Sequence, residues 1–488
     1  MLGRTFRNRC MAALSGFALI AALSAAPAQA ESLVDTVQTA VSTYPSIDEA
    51  ASNKRAQDYE LKQQRGLYYP SLDVGAAIGP EWYSSHINKP ESSMTRKESQ
   101  ATLSLLLFDG FARESSIERS ASRVDAAASR VLERSEAVAA SAAEAYLDML
   151  RNVELLRLAE ENLVTHQNLL GRVRARVTGG QSGQGDLQQA NARVSSAEDN
   201  VLQARKDLRD ARTAYIELIN LSPDNLEDVA PPLSALPANV DKAVALALST
   251  SPTVAAAAAD LDEANAAHRL AASGFYPTFR IDAGIARNDN TSGTPGFSHE
   301  ASVLLRMNWN LFRGMIDKNL RLETAERANQ TRAAVSRLER STAKEVRNSW
   351  TAMEIARDRS DVLAQHVIYE AQVVSTYRQE FEIGQRQLLD LLDTENELFT
   401  IRTRAVTADY THRYSVYRTL AAIGVLNSTL GVKVPVDAYA DARKGAGVEP
   451  EWTGPFIARQ PGYEFIDVEP PATTQAVSPT PVVSETEE

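Results

Sequence analysis

Cysteine occurs once in the chain, at Cys10. Removal of the segment that carries it would leave no thiol, which excludes disulfides, zinc–cysteine sites and a cysteine nucleophile. Long apolar runs are missing too. Beyond Ala30 no stretch reaches the roughly 18 apolar residues of a membrane-spanning helix. Such a chain can cross a membrane only as a closed β-barrel, because lipid offers backbone N–H and C=O groups no other partners. The six histidines (His86, His166, His268, His299, His366 and His412) show no metal-ligand spacing of the H-E-x-x-H kind, and no nucleophile elbow appears. The run Gly179 to Gly185 is glycine-rich, but no strand pattern precedes it, so it reads as a turn and not as a phosphate loop. Neither an enzyme nor a cofactor is expected. Basic residues are outnumbered, 51 Lys and Arg against 63 Asp and Glu, and the net charge of −12 argues against a nucleic-acid partner.

The N-terminus supplies what the rest lacks. Arg4, Arg7 and Arg9 precede an apolar stretch from Met11 to Ala26, and Ala28-Gln29-Ala30 is a small-residue cleavage pattern. Residues 1–30 are therefore expected to be a signal peptide, with the exported chain starting at Glu31.

The chain repeats itself. Tyr69-Pro70 recurs as Tyr276-Pro277, Phe108-Asp109-Gly110 as Phe312-Arg313-Gly314, and Gly180 with Asp186-Leu187 as Gly384 with Asp390-Leu391. The interval from Gly110 to Gly180 equals that from Gly314 to Gly384, at 70 residues. Ordered landmarks at nearly fixed spacing indicate a duplication. Between the landmarks, Ala112 to Thr178 contains no proline and one glycine, Gly171. Met315 to Ile383, Leu187 to Ser222 and Gln385 to Ile423 contain neither. These stretches are rich in Ala, Leu, Glu, Arg and Gln, which favour helix. Helices approaching 100 Å in length must pair along their length as coiled coils do. Val124, Ala127, Val131 and Val138 mark an apolar seam for that pairing.

Between the helices the period changes to two. Ala301, Val303, Leu305, Met307, Trp309 and Leu311 alternate with Ser302, Arg306, Asn308 and Asn310. Leu72 to Ile78, Ala101 to Leu107 and Phe279 to Ile285 alternate likewise. Each half thus predicts two strands, near 71–88 and 98–108 and near 278–288 and 299–311, joined by polar loops and carrying one apolar face. Tyr68, Tyr69, Phe275 and Tyr276 lie at the strand bases, where an interfacial aromatic girdle would fall. Four strands cannot close a barrel around a pore, so the chain is expected to oligomerise.

In its order of elements, from Leu33 to Gly424, the chain resembles the TolC family of outer-membrane factors. The likeness rests on the duplicated helix, Tyr-Pro, strand, strand, Phe-x-Gly, long-helix layout, and on Gly384-Gln385-Arg386-Gln387-Leu388-Leu389-Asp390-Leu391-Leu392-Asp393. The fold implied is mainly α with transmembrane β. A duplicated coiled-coil tunnel of long helices would carry four strands per subunit, contributed to a trimeric twelve-stranded barrel. Residues 31–225 and 241–430 would be the two repeats, 226–240 a linker, 431–469 a C-terminal equatorial extension and 470–488 a disordered Pro-rich acidic tail. The resemblance implies an exit duct in the outer-membrane lipid, its tunnel extending into the periplasm. That duct would be a homotrimer docked on a periplasmic adaptor and an inner-membrane ABC transporter or proton-driven pump. A periplasmic coiled-coil adaptor is the alternative. By the same resemblance, Asp390 and Asp393 would form acidic rings at the periplasmic aperture and Gly180 and Gly384 the tip turns. Asp186, Arg386 and Phe381 would belong to the gate latch, with Phe381 standing where the family often has tyrosine. Pro70, Gly110, Pro277 and Gly314 would mark the junctions between barrel and helix.

Overall fold

The computed structural model describes residues 32–84, 92–223 and 225–447. The expected signal peptide, part of the first inter-strand loop, most of the expected C-terminal extension and the expected tail from 470 lie outside the described residues.

Proline at the first turn starts two of the helices, Pro45 and Pro252, where a missing N–H is no loss. The first half of the chain runs α1 (Leu33–Thr43), α2 (Pro45–Gly66), β1 (Ser71–Tyr83), β2 (Ser92–Phe108), α3 (Ala112–Thr178) and α4 (Gln184–Ile219). The second half repeats that order as α5 (Val240–Thr250), α6 (Pro252–Ala272), β3 (Thr278–Asp289), β4 (Phe297–Asn308), α7 (Ile316–Glu382) and α8 (Leu388–Ile423). Short helices α9 (Leu426–Leu430) and α10 (Ala442–Gly445) follow. Both α3 and α7 have 67 residues, as their freedom from proline predicts. Among the described residues no single helix is long and apolar enough to cross a membrane.

Three strand boundaries differ from the sequence expectation. β1 ends at Tyr83, not near 88. β2 begins at Ser92, not near 98, because Thr95, Arg96 and Lys97 pair with Pro80, Gly79 and Ile78 although they carry no apolar alternation. β4 ends at Asn308, not near 311. Asn308 pairs with Thr278, the first residue of β3, so Trp309 and Leu311 keep the apolar period without a strand to pair with.

The chain forms two compact units, and each draws on both halves of the duplication. Among the described residues, one contains Val41–Ala140, Pro232–Asp358 and the segment from Ser415 onward; the other contains the segment up to Ala40, Ser141–Pro231 and Arg359–Tyr414.

The first unit holds the sheet, an antiparallel meander in the order β1-β2-β3-β4. Its register puts Leu72, Leu103, Ala283 and Val303 in one row and Val74, Ala101, Ile285 and Ala301 in the next. The alternating apolar residues of all four strands therefore share a face, and that face is bare: Val74 is 77% exposed and Val303 75%. The opposite face is polar. Ser104 Oγ donates to Asp282 Oδ1 at 2.9 Å, and Arg306 Nε reaches Asp282 Oδ2 at 2.9 Å.

Below the sheet in the same unit, Val124, Ala127, Val131 and Val138 are buried as the seam predicts. α6 runs antiparallel to α3. Glu263 meets Arg119 at 2.7 Å, Asp260 meets Arg130 at 2.6 Å and Thr253 meets Glu133 at 2.7 Å, so positions fall on one helix as they rise on the other. Ala257 and Leu261 of α6 pack on Val335 of α7. The C-terminal segment docks on this bundle through Asp125 of α3. Its carboxylate accepts the backbone N–H of Ala442 (2.8 Å) and Arg443 (3.1 Å) and the Arg443 side chain (2.8 Å), and Arg443 also pairs with Asp262.

Candidate functional site

The second unit consists largely of two helical hairpins. Both turns need a residue that accepts positive φ, and glycine supplies it: Gly180 at 72° and Gly384 at 80°. The hydrogen bonds of the turns correspond one for one. Gly180 N–H donates to Val177 O and Gln181 N–H to Arg176 O; Gly384 N–H donates to Phe381 O and Gln385 N–H to Glu380 O. Arg174 contacts Asn191 across the first hairpin, and the equivalent residues of the second, Arg378 and Glu395, form a two-pronged ion pair with Nη2 to Oε2 at 2.7 Å. The Glu395 carboxylate is buried there and lies near the buried His166, whose pKa is lowered chiefly by burial.

Nine buried residues join the two hairpins near their turns. They include Leu170 and Val173 of α3, Ala190 of α4, Phe381 of α7 and Leu391 of α8. Phe381 sits inside this cluster. The Arg176 guanidinium lies over its ring at 4.4 Å and donates through Nη1 to its carbonyl at 3.3 Å. A cation–π contact plus a backbone hydrogen bond thus clamp the side chain that lacks a hydroxyl.

The expected Asp186–Arg386 pair is not made within the chain. Asp186 turns back on its own helix and accepts Gly183 N–H at 3.3 Å, as an N-terminal cap. Arg386 binds Glu380 at 2.7 Å, lies 3.9 Å over the Tyr377 ring and stands 3.7 Å from Asp390. Asp393 also has a partner that the sequence did not suggest, Arg193 of α4, at 2.6 Å. Asp390 and Asp393 therefore each have an arginine on the same chain, Asp393 the nearer one.

The junction residues lie in the sheet unit. Pro70 and Pro277 directly precede β1 and β3. Gly110 and Phe111 both have φ of 68°, and Gly314 and Met315 repeat the pair at 58° and 68°. Gly110 has no room for a side chain: an added Cβ would fall 2.7 Å from Tyr276 Cβ and 2.8 Å from Ser273 O. Asp109 caps α3 by accepting from Ala112 N (3.1 Å) and Arg113 N (3.0 Å). Arg113 is buried on Asp109 and donates to the carbonyls of Leu106 (2.9 Å) and Leu107 (3.1 Å), tying the strand end to the helix start. The second repeat reverses the charges: Arg313 replaces Asp109, Asp317 replaces Arg113, and the two stand 3.5 Å apart. Phe108, Phe111 and Tyr276 stack edge to face across this junction, with centroids 5.5 and 6.2 Å apart.

Comparison with known proteins agrees with this layout. The chain is 23% identical over 446 residues to the outer membrane efflux protein BepC of Brucella suis biovar 1, covering 88% of this chain and 93% of that one. It is 21% identical to the outer membrane protein TolC of Escherichia coli, covering 85% of each. The crystal structure of the Campylobacter jejuni CmeC outer membrane channel superposes with a TM-score of 0.70 at 13% identity, over 86% of this chain and 90% of that chain, so the fold is shared. The outer membrane efflux protein family matches residues 36–221 and 243–424, the two halves of the duplication, and the chain belongs to that family of the outer membrane.

Proposed function

We propose that three copies of the chain join their sheets into one barrel and conduct solutes passively across the outer membrane, as the exit duct of a tripartite efflux or type I secretion system. The observation that carries this reading is the bare apolar face of an open four-stranded sheet. Its register aligns Leu72, Leu103, Ala283 and Val303 in one row. At about 25 cal/mol per Å2 such a face is costly in water, and lipid on one side with neighbouring strands at both edges removes the cost. Leu311, Phe312, Met315 and Ile316, exposed at the start of α7, extend the unpartnered apolar surface toward a neighbouring copy. A periplasmic adaptor and an inner-membrane ABC transporter or proton-driven pump would supply substrate and energy. No separate adaptor role is needed to explain the sheet.

The gate in this reading lies at the α3–α4 and α7–α8 turns. Threefold repetition would make Asp390 and Asp393 into rings of carboxylates, which favour cations. Asp393 is paired with Arg193 at 2.6 Å whereas Arg386 is 3.7 Å from Asp390, so Asp390 would carry more of the selectivity. In single-channel recordings, Asp390→Ala should reduce cation preference and multivalent-cation block more than Asp393→Ala. Unchanged block in the double variant would remove the ring. Arg386→Ser should raise conductance by freeing the α7–α8 turn from Glu380 and Tyr377, and a channel as tight as the parent would remove Arg386 from the gate.

A further inference from the structure

Carboxylates that reach between helices in the hairpin unit mostly have an arginine. Glu395 has Arg378, Asp393 has Arg193, Glu382 has Arg172 and Glu160 has Arg205. Glu370 of α7 and Glu397 of α8 break the pattern. They face each other together with His366, one turn before Glu370 on α7, and one donor atom from each of the three lies within 4.8 Å of the others. No arginine or lysine enters this group. Burial first, and the Glu397 carboxylate second, raise the Glu370 pKa, while His366 lowers it. The equivalent positions of the first hairpin carry Asn162, His166 and Arg193, where Arg193 stands in the place of Glu397 and brings its own positive charge. The second hairpin has kept the geometry and left out the cation.

We propose that His366, Glu370 and Glu397 bind a divalent transition-metal ion, with Zn2+ the best match, across the α7–α8 hairpin. One imidazole nitrogen and two carboxylate oxygens make a three-ligand set with a fourth position open to water or to a ligand from outside. The nitrogen donor selects zinc, copper or nickel over magnesium and calcium, which prefer all-oxygen cages. Metal–ligand bonds of about 2.0–2.2 Å require donors somewhat closer together than they stand, a gap that rotation of exposed side chains closes. His366 and Glu370 are four apart on one helix and so share a face, and the ion would cross-link that face to α8. The site is separate from the aperture acids and does not depend on the channel reading. If that reading holds, the ion would also tie the helices on either side of Gly384 and resist their separation.

The test uses the full chain, purified in detergent without an affinity tag, titrated with ZnCl2 by calorimetry and with MgCl2 as the hard-cation control. One Zn2+ per chain should bind, and His366→Ala, Glu370→Gln and Glu397→Gln should each weaken it roughly tenfold or more, on the scale seen when metal sites lose a supporting group. Asp390→Ala/Asp393→Ala should bind Zn2+ like the parent. The three ligand variants replace partly or fully exposed side chains, and metal-free melting temperatures equal to the parent's would show that they fold. Equal Zn2+ affinity in parent and ligand variants overturns the assignment. So does binding that survives in the ligand variants and disappears in the aperture variant, which would move the ion to the acidic rings.

Discussion

Glu136 of α3 is a buried carboxyl whose oxygens accept the backbone N–H groups of Leu426 (3.0 Å) and Asn427 (3.2 Å) at the start of α9. Burial pushes its pKa up to about 7, against the pull of those two N–H donors. An acid with a raised folded-state pKa binds protons more tightly folded than unfolded. Its penalty is absent below the ordinary value near 4.5, grows as pH rises, and is complete above about 7. The full effect is on the order of 3 kcal/mol. Melting temperature should therefore fall between pH 5 and pH 8, and Glu136→Gln, which keeps the shape and removes the titration, should flatten that slope. A variant as pH-dependent as the parent would place the titrating group elsewhere. Sequence reading did not reach Glu136, because nothing local distinguishes it from the acids on the helix surface. The same holds for Arg193 opposite Asp393 and for Arg176 over Phe381. Each contact joins residues about 200 positions apart, and only the fold brings them together. Asp390 and Phe381 were accessible because the family resemblance points to the segment around the Gly384 turn, which the repeat also marks.

At the scale of elements, the two strand-to-helix junctions carry reversed charge pairs with unequal duties. Arg113 is buried and donates to Leu106 O and Leu107 O as well as to Asp109. The Arg313–Asp317 pair is partly open to solvent, with Arg313 44% exposed. Exchanging the charges should therefore be tolerated at the second junction and not at the first, since an aspartate at 113 cannot donate to carbonyls. Arg313→Asp/Asp317→Arg is expected to give near-parental amounts of folded protein in outer-membrane fractions, and Asp109→Arg/Arg113→Asp to give far less; equal yields would mean that the carbonyl contacts contribute little. Helix limits were legible in the sequence to within a few residues, because absence of proline and glycine is a continuous signal that ends abruptly at a turn. Strand limits were less so. Pairing decides them: Thr95 to Lys97 join the ladder because β1 continues opposite them, and Trp309 leaves it because β3 has not yet begun.

For the whole molecule, the proposal makes the row through Leu305 a lipid-facing surface and the row through Ser302 an interior one. Leu305→Arg should cost about 2–4 kcal/mol at the middle of a bilayer and lower the amount of heat-modifiable oligomer on gels, while Ser302→Arg should leave it near the parental level. Equal loss from both would contradict the assignment of faces. The duplication was readable in the chain from its landmarks, but the partition into compact units was not. Each unit collects segments from both repeats, which follows from long helices that belong to one repeat by sequence and pass through two packing environments in space. β2 of the first repeat pairs directly with β3 of the second along eleven residue positions. That covalently guaranteed contact has a kinetic meaning. A ring of six hairpins built from unduplicated chains would depend on five encounters in a dilute periplasm, and its yield would fall with a high power of concentration. In the proposed trimer every second seam is already closed inside a chain, so two encounters suffice, and a sparsely expressed protein could still complete its ring.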